Sequence, residues 1–244
     1  MDDSSLPGYD PLENDFRDQL ATIGKGVVSL IPLLGGPLAE IVGQAIPNQR
    51  ADRVAAYLRE LQRRVDNLAD ELKAQLKQSA AKIDLIEEGG YQAARATSSE
   101  RIEQIVAAVA NGLKENDVDV LRRRRLLIMF GELDGDEVAL LNAYGRSYGG
   151  GDRNAFASMN RPGPVHLQSK TEELERDRLY NAGREHLLRL GLLQRNYGHL
   201  KKGQVPEFDA RSGDFKHSIE ISLLGRMLLK EIGLPTPFDQ ARDG

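Results

Sequence analysis

The sequence predicts a mostly α-helical protein: an elongated helical bundle or coiled coil, followed by an α+β domain with a two-stranded hairpin. Three observations predict this class. Leucine and valine recur at alternating spacings of four and three residues between positions 54 and 72, which is a heptad stripe. Residues 215–221 alternate apolar and polar side chains, as a half-buried strand does. Helix-start and helix-stop signals divide the second half of the chain into short helices and strands.

Composition excludes several classes of protein. The 244 residues are 40% hydrophobic and 29% charged, which is typical of a folded globular chain. Cysteine is absent, so the chain has no disulfide, no Cys-ligated zinc and no thiol nucleophile. This suits a reducing cytosol, and we expect a cytoplasmic protein with peripheral membrane association as an alternative. Residues 1–117 carry a net charge of −6 and residues 118–244 one of +2, less basic than a dedicated nucleic-acid domain.

Residues 1–22 are predicted to be a flexible acidic lead-in. The first eighteen residues contain six acidic side chains against Arg17 alone, with Pro7, Gly8 and Pro11 among them. A secretory signal would begin with positive charge and an apolar stretch, so none is expected here.

An apolar segment follows at residues 23–46, where only Lys25 and Glu40 are charged. Its length is close to that of a membrane span, but the Gly-Gly-Pro sequence at 35–37 predicts two short helical pieces. We favour a buried helical hairpin over membrane insertion, and a switch that releases the hairpin would allow both. The candidate core or membrane residues are Val27, Val28, Leu30, Ile31, Leu33, Leu34, Leu38, Ile41, Val42 and Ile46.

A long helix is predicted over residues 48–88, where neither proline nor glycine occurs. Gly89 and Gly90 predict a break, after which a second helix begins near Tyr91 or Thr97. The two helices can fold back as an antiparallel hairpin or continue as one rod.

The heptad stripe lies on the long helix and has two interpretations. It packs within one chain or between chains. Because the second helix is shorter, part of the stripe would stay uncovered, which predicts a homo-oligomer. The candidate oligomerisation residues are Val54, Leu58, Leu61, Val65, Leu68 and Leu72.

The second half of the chain begins with two predicted helices, at 120–131 and 136–145. Asp134 and Glu137 have capping-box spacing at the start of the second one. Residues 145–170 are rich in Gly, Pro, Ser and Asn, which predicts a loop.

A third helix, two strands and a final helix complete this half. The helix opens at Ser169 with Glu172, runs to Leu190 and is closed by Gly191. The strands are Leu192–Tyr197 and 215–221. The final helix is predicted over Leu223–Ile232. Ser222 caps its start, and Gly233 and Pro235 are its stop signals.

The order helix, helix, helix, strand, strand, helix resembles a winged-helix domain over about the last 115 residues. The phrases HLLRLGLLQ and SLLGRMLLKEIG resemble the usual ending of that fold. The whole arrangement resembles a group of bacterial proteins in which an IPxxGG-type apolar segment precedes a long helix and a winged-helix-like tail. That resemblance implies no catalytic residues. The predicted domains are a lead-in at 1–22, a helical part at 23–115, a winged-helix-like part at 119–234 and a tail at 235–244.

No enzyme motif is present. The four histidines, His166, His186, His199 and His217, are scattered. The sequence lacks HExxH, GxSxG and GxxxxGK[ST]. We therefore expect no enzyme, no cofactor and no metal site.

Candidate phosphate contacts lie in two places. Arg122 and Arg123 belong to a run of four arginines, and Lys201, Lys202 and Arg211 lie between the two strands, where a winged helix has its wing. Four consecutive helical residues spread over about 300°, so we favour pairing of the arginines with nearby acids. For the wing we likewise favour a solvated loop tip over contact with a phosphate backbone.

These features predict a non-enzymatic, oligomerising, conditionally membrane-associated effector or scaffold with a C-terminal partner-binding module. The apolar start is similar to membrane-active helical domains of cell-death effectors, which implies by analogy a role in bacterial defence or cell death. The alternative is a winged-helix transcriptional regulator dimerised by its coiled coil. Nucleic acid is the less expected partner, because the insertion at 146–168 lies where DNA would approach.

The apolar segment can be tested by placing Asp at Leu34 and Leu38. If the segment contacts membranes, the wild-type chain releases dye from anionic liposomes under some condition, and the double variant loses that activity while its C-terminal half stays folded. If the segment is only core, the wild type never releases dye and the variant loses cooperative unfolding.

Overall fold

The computed structural model describes residues 51–66, 68, 76, 78–157, 159, 161–163, 165, 166, 168–210 and 213–240. Contacts divide the chain into two compact units, one ending at Arg124 and the other beginning at Arg125. The described chain is mostly helical with a small two-stranded region near its C-terminus, which confirms that part of the predicted class. The lead-in at 1–22, the apolar segment at 23–46 and Leu72 lie outside the described residues.

The elements are numbered along the described chain. The first unit contains α1 (Ala51–Asp66), α2 (Ala80–Arg95) and α3 (Ser99–Gly112), and the unit boundary falls inside α4 (Asp117–Gly131). The second unit contains α5 (Gly135–Ser147), α6 (Thr171–Arg189), β1 (Leu193–Asn196), β2 (Phe208–Asp209), β3 (Asp214–Phe215), β4 (Ser218–Ile221), α7 (Leu223–Glu231) and α8 (Pro237–Gln240).

In the first unit, α1, α2 and α3 pack against one another. Tyr57 of α1 lies fully buried among them, and its hydroxyl donates a hydrogen bond to the carbonyl of Ile86 in α2 at 3.0 Å. Burial raises the pKa of the Tyr57 hydroxyl, so the group stays protonated and remains a donor. A buried hydroxyl with a partner avoids the cost of an unsatisfied polar group and fixes α1 against α2.

The prediction of one helix over 48–88 is wrong, because among the described residues of that range α1 ends at Asp66 and a separate helix, α2, begins at Ala80. Ser79 has extended backbone angles, and its hydroxyl accepts a hydrogen bond from the Lys82 amide at 3.2 Å, which begins α2 at Ala80. The same hydroxyl donates to the Asp117 carboxylate at 2.7 Å. A serine cap held by a second partner interrupts the helical pattern without proline or glycine.

The predicted break at Gly89 and Gly90 is also wrong, since both glycines lie inside α2. The actual turn comes later: Ser98 caps α3, its hydroxyl accepting from the Arg101 amide at 3.1 Å. The helices α2 and α3 then run antiparallel, so Gly89 faces Val109 and Leu85 faces Gly112. This is the hairpin alternative rather than the rod.

The described part of the heptad stripe packs within one chain. Val54, Leu58, Leu61 and Val65 are all buried in the first unit, while Leu68 is half-buried. These four side chains fill the core between the helices and leave no exposed stripe in α1 for a second copy.

The predicted caps of the second unit are confirmed at three helix ends. Asp134 and Glu137 form a capping box at the start of α5, and Ser222 caps α7. At the end of α6 the amide of Gly191 bonds to the Leu188 carbonyl at 3.0 Å, and Gly191 has a φ of 72°. This Schellman arrangement turns the chain from α6 into β1.

Several boundaries differ from the prediction, among them the start of α4, which is Asp117 instead of residue 120, and the end of α5, which is Ser147 instead of residue 145. Helix α6 begins after Lys170 instead of Ser169, because Glu173 accepts from the Lys170 amide at 3.1 Å while Ser169 accepts from His166. The strand predicted over 215–221 is divided into β3 and β4. β1 pairs antiparallel with β4, and the residues between them form a second small hairpin, β2–β3.

Gly89→Ala should lower the free energy of unfolding by about 1–3 kcal/mol through overpacking. An added Cβ would lie 2.5 Å from the Tyr57 hydroxyl and 2.7 Å from Val109, with packed side chains on both sides. Urea unfolding measures the change. Gly135→Ala is the matched control, because a Cβ there meets nothing within 4 Å, so this variant should be neutral or slightly more stable. Equal stability of both variants would contradict the packing of α1 on α2.

Candidate binding surfaces of the second unit

The arginines proposed as phosphate contacts are engaged by acids of the same unit. Arg122 pairs with Asp119 at 2.6 Å, and Arg123 pairs with Glu115 at 2.8 Å. Arg124 also lies 3.9 Å from Glu88. These contacts agree with the pairing interpretation, since a phosphate would have to compete with carboxylates already in place.

The connection between β1 and β4 forms two turns. In the first, the Gln204 amide donates to the Lys201 carbonyl at 2.9 Å, and Gly203 has a φ of 82° as the third residue of the turn. In the second, the Gly213 amide donates to the Asp209 carbonyl at 2.9 Å and closes the β2–β3 hairpin. Lys201 and Lys202 therefore lie on the first turn, while Arg211 lies outside the described residues.

Exposed apolar side chains surround these two turns. Leu200 and Val205 flank the first turn, and Val205 is 75% exposed. Phe208 and Phe215 pair across the second hairpin with their rings edge to face at 5.7 Å, and Phe208 is 57% exposed. We call the following set the hairpin-tip surface: Tyr197, Leu200, Lys201, Lys202, Val205, Phe208 and Phe215.

Acids of the connection are paired locally. The ammonium of Lys216 lies 2.5 Å from Glu207, and this hydrogen bond raises the pKa of Lys216. Asp214 lies 3.9 Å from both Arg195 and His217. Among the described residues Lys201 and Lys202 form no ion pair, so they supply the excess positive charge of the hairpin-tip surface.

A cavity of about 1020 Å³ lies between α5 and α6, bordered by the loop that joins them. Leu140 and Ala143 of α5 and Ala155 of the loop are buried and form its apolar floor. Leu179 of α6 also lines the cavity and is 74% exposed. The charged residues of the lining are Asp134, Asp136, Glu137, Arg146, Glu172, Glu175, Arg176 and His186.

Glu137 joins the two helices at one end of this cavity. Its carboxylate lies 2.6 Å from Nδ1 of His186 in α6 and also accepts from the Asp134 amide at 2.9 Å. Because an ionised carboxylate only accepts, Nδ1 of His186 carries the proton in this contact. Gly183 permits the approach, since a Cβ there would lie 3.3 Å from the Glu137 side chain.

Tyrosines of α5 and α6 lie beside the cavity. Tyr144 packs edge to face on Phe156 at 5.1 Å, and burial together with nearby Tyr180 raises the pKa of its hydroxyl. Tyr180 lines the cavity, and its buried hydroxyl has no hydrogen-bond partner among the residues that the structure describes. On the opposite side Arg146 pairs with Asp152 of the loop.

Sequence reasoning missed the cavity, although α6 carried a signal for it. Glu172, Glu175, Leu179, Gly183 and His186 recur at spacings of three and four, so they share one helix face. The balance of acids and bases along α6 hid this face, because it resembles an ordinary solvated surface. The exposed apolar residues of the hairpin tip are not predicted either, since isolated apolar residues in a loop form no regular pattern.

The described residues contain no group of three or more His, Asp or Glu side chains arranged to hold a metal ion. Among the described helices, none combines the length and the apolar character that crossing a membrane requires.

Comparisons of this chain with protein-family models, with curated proteins and with solved structures find no match.

Proposed function

We propose that the chain is a non-enzymatic, conditionally membrane-associated effector or scaffold, and that its second unit is a winged-helix-like module which contacts anionic lipid through the hairpin-tip surface. The observation that carries this proposal is the exposure of large apolar side chains beside two lysines at the end of the β1–β4 connection.

The chemistry of the hairpin tip suits a membrane interface. Apolar side chains gain free energy in proportion to the area they withdraw from water, and aromatic rings suit the boundary between headgroups and acyl chains. Lysines near an anionic surface add attraction that falls off within a Debye length. Val205 and Phe208 supply the apolar part, and Lys201 and Lys202 supply the charge.

A winged-helix-like arrangement is the finer form of this proposal. Helices α5 and α6, the β1–β4 pair and α7 follow one another in the order of that fold. In such a module α6 would be the recognition helix for DNA. Its exposed acids, Glu172, Glu173 and Glu175, would repel phosphates and offset the attraction of the exposed arginines on the same helix. The charges of α6 therefore favour a binding module of another kind.

The remaining parts of the proposal depend on residues beyond those described. The apolar segment at 23–46 would be a second membrane element. Self-association would have to use residues other than Val54, Leu58, Leu61 and Val65, because the first unit already buries them.

Val205→Asp should weaken binding of the full chain to phosphatidylserine-containing vesicles by about tenfold or more, because an exposed valine that would enter the lipid interface is replaced by a charge that anionic lipid repels. Vesicle co-sedimentation measures this, with phosphatidylcholine vesicles as the reference surface. Val118→Asp is the matched control, since Val118 is also well exposed but lies in α4. It should bind as the wild type does.

Replacing Lys201 and Lys202 by Gln should flatten the salt dependence of vesicle binding. A parallel titration with duplex DNA at low and physiological salt tests the regulator alternative. The proposal fails if the wild type ignores phosphatidylserine vesicles, if Val118→Asp loses as much binding as Val205→Asp, or if the chain instead forms a tight, sequence-selective DNA complex.

A further inference from the structure

We propose that the cavity between α5 and α6 binds a small organic cation with an apolar body. This site is separate from the hairpin-tip surface and does not depend on membrane contact. The cavity, at about 1020 Å³, has room for a drug-sized ligand and combines an apolar floor with a few polar groups, as small-molecule sites do.

The charge of the cavity selects a cation. Several lining groups already satisfy one another: Glu137 holds His186 and the Asp134 amide, and Arg146 pairs with Asp152. Three other lining acids, Asp136, Glu172 and Glu175, face a single further base, Arg176, and none of these four is ion-paired within the described residues. Three acids against one arginine leave a net charge of −2 on the open part of the lining.

The apolar lining requires the ligand to have an apolar part as well as a positive charge. Leu140, Ala143 and Ala155 form a dry floor, whereas Leu179 is 74% exposed on the wall. A leucine so exposed gains free energy when an apolar surface covers it. A simple inorganic cation would neutralise the acids and leave this side chain in water.

The hydroxyl of Tyr180 supplies a third, independent indication. It is buried, it belongs to the lining, and it makes no hydrogen bond within the described residues. A buried hydroxyl without a partner is costly, and a heteroatom of a bound ligand would satisfy it once the Tyr180 side chain turns towards the cavity, because the oxygen itself is buried in the structure. Charge, apolar area and an unpartnered hydroxyl thus converge on one cavity.

Rhodamine 6G and fluorescein form a suitable pair of probes, since they share a xanthene ring and carry opposite charge. Fluorescence anisotropy of each dye is measured while the full chain is titrated at physiological salt. We expect saturable binding of rhodamine 6G and none of fluorescein.

Two variants place the binding in the cavity. Replacing Glu172 and Glu175 by Gln should weaken rhodamine 6G binding by about tenfold, because two partly exposed attractions are lost. The charge-matched control replaces Glu132 by Gln and Asp177 by Asn, two acids outside the lining, and should bind as the wild type does. Ala182→Trp tests the volume, because Ala182 is an exposed lining residue of α6 whose replacement fills the cavity without disturbing the core.

Circular dichroism confirms that each variant is folded before it is titrated. The inference is overturned if the wild type binds neither dye or both equally. It is also overturned if the control double variant loses as much affinity as the cavity double variant, or if folded Ala182→Trp binds unchanged. Vesicle binding of the cavity variants should equal that of the wild type, so a failure here is distinct from a failure of the membrane proposal.

Discussion

The carboxylate of Glu137 is the contact on which the second unit depends. It completes the capping box of α5 and accepts a hydrogen bond from Nδ1 of His186 in α6, so one side chain contacts both the start of α5 and α6. Hydrogen bonds to a charged group contribute about 1.5–3 kcal/mol each when the site is shielded from water. Gly183 packs closely on this carboxylate's side chain, since a Cβ there would lie 3.3 Å from Glu137 and would require a small shift.

The position of α6 then determines both candidate surfaces. Faces of α5 and α6 line the cavity, with the loop at its border. Beyond Gly191 the chain enters β1, which pairs with β4 from Leu193–Ile221 to Asn196–Ser218. This short ladder holds the two ends of the β1–β4 connection together. The turns lie between those ends, and their apolar side chains are exposed to solvent. The proposed ligand cavity and the proposed lipid-binding surface therefore involve different residues of the second unit.

Local chemistry made part of this fold predictable. The caps at Asp134 and Ser222 and the stop at Gly191 were correctly expected, because a cap needs only a side chain and an amide a few residues apart. The long helix was overextended because heptad spacing indicates which face is apolar and does not indicate where the helix stops. The glycine at position 89 indicates a helix break by sequence pattern, but its cause is tertiary. Tyr57 and Val109 occupy the space that a Cβ would fill, so glycine marks close helix packing here.

The candidate site was less predictable than the fold. The sequence predicts a loop for Lys201 and Lys202 and they lie in one, but the exposure of the neighbouring Val205 and Phe208 follows from the two separate turns of the connection. The cavity arises from packing between residues 49 positions apart, such as Glu137 and His186. No local pattern encodes such a pairing, and the mixed charges of α6 conceal its face.

Hydrogen–deuterium exchange of the full chain, with and without phosphatidylserine vesicles, tests the central claim most directly. Contact through the hairpin tip predicts slower exchange of amides in residues 197–217 on vesicles, with α5 and α6 unchanged. Unchanged exchange over 197–217 in the vesicle-bound protein would contradict the claim.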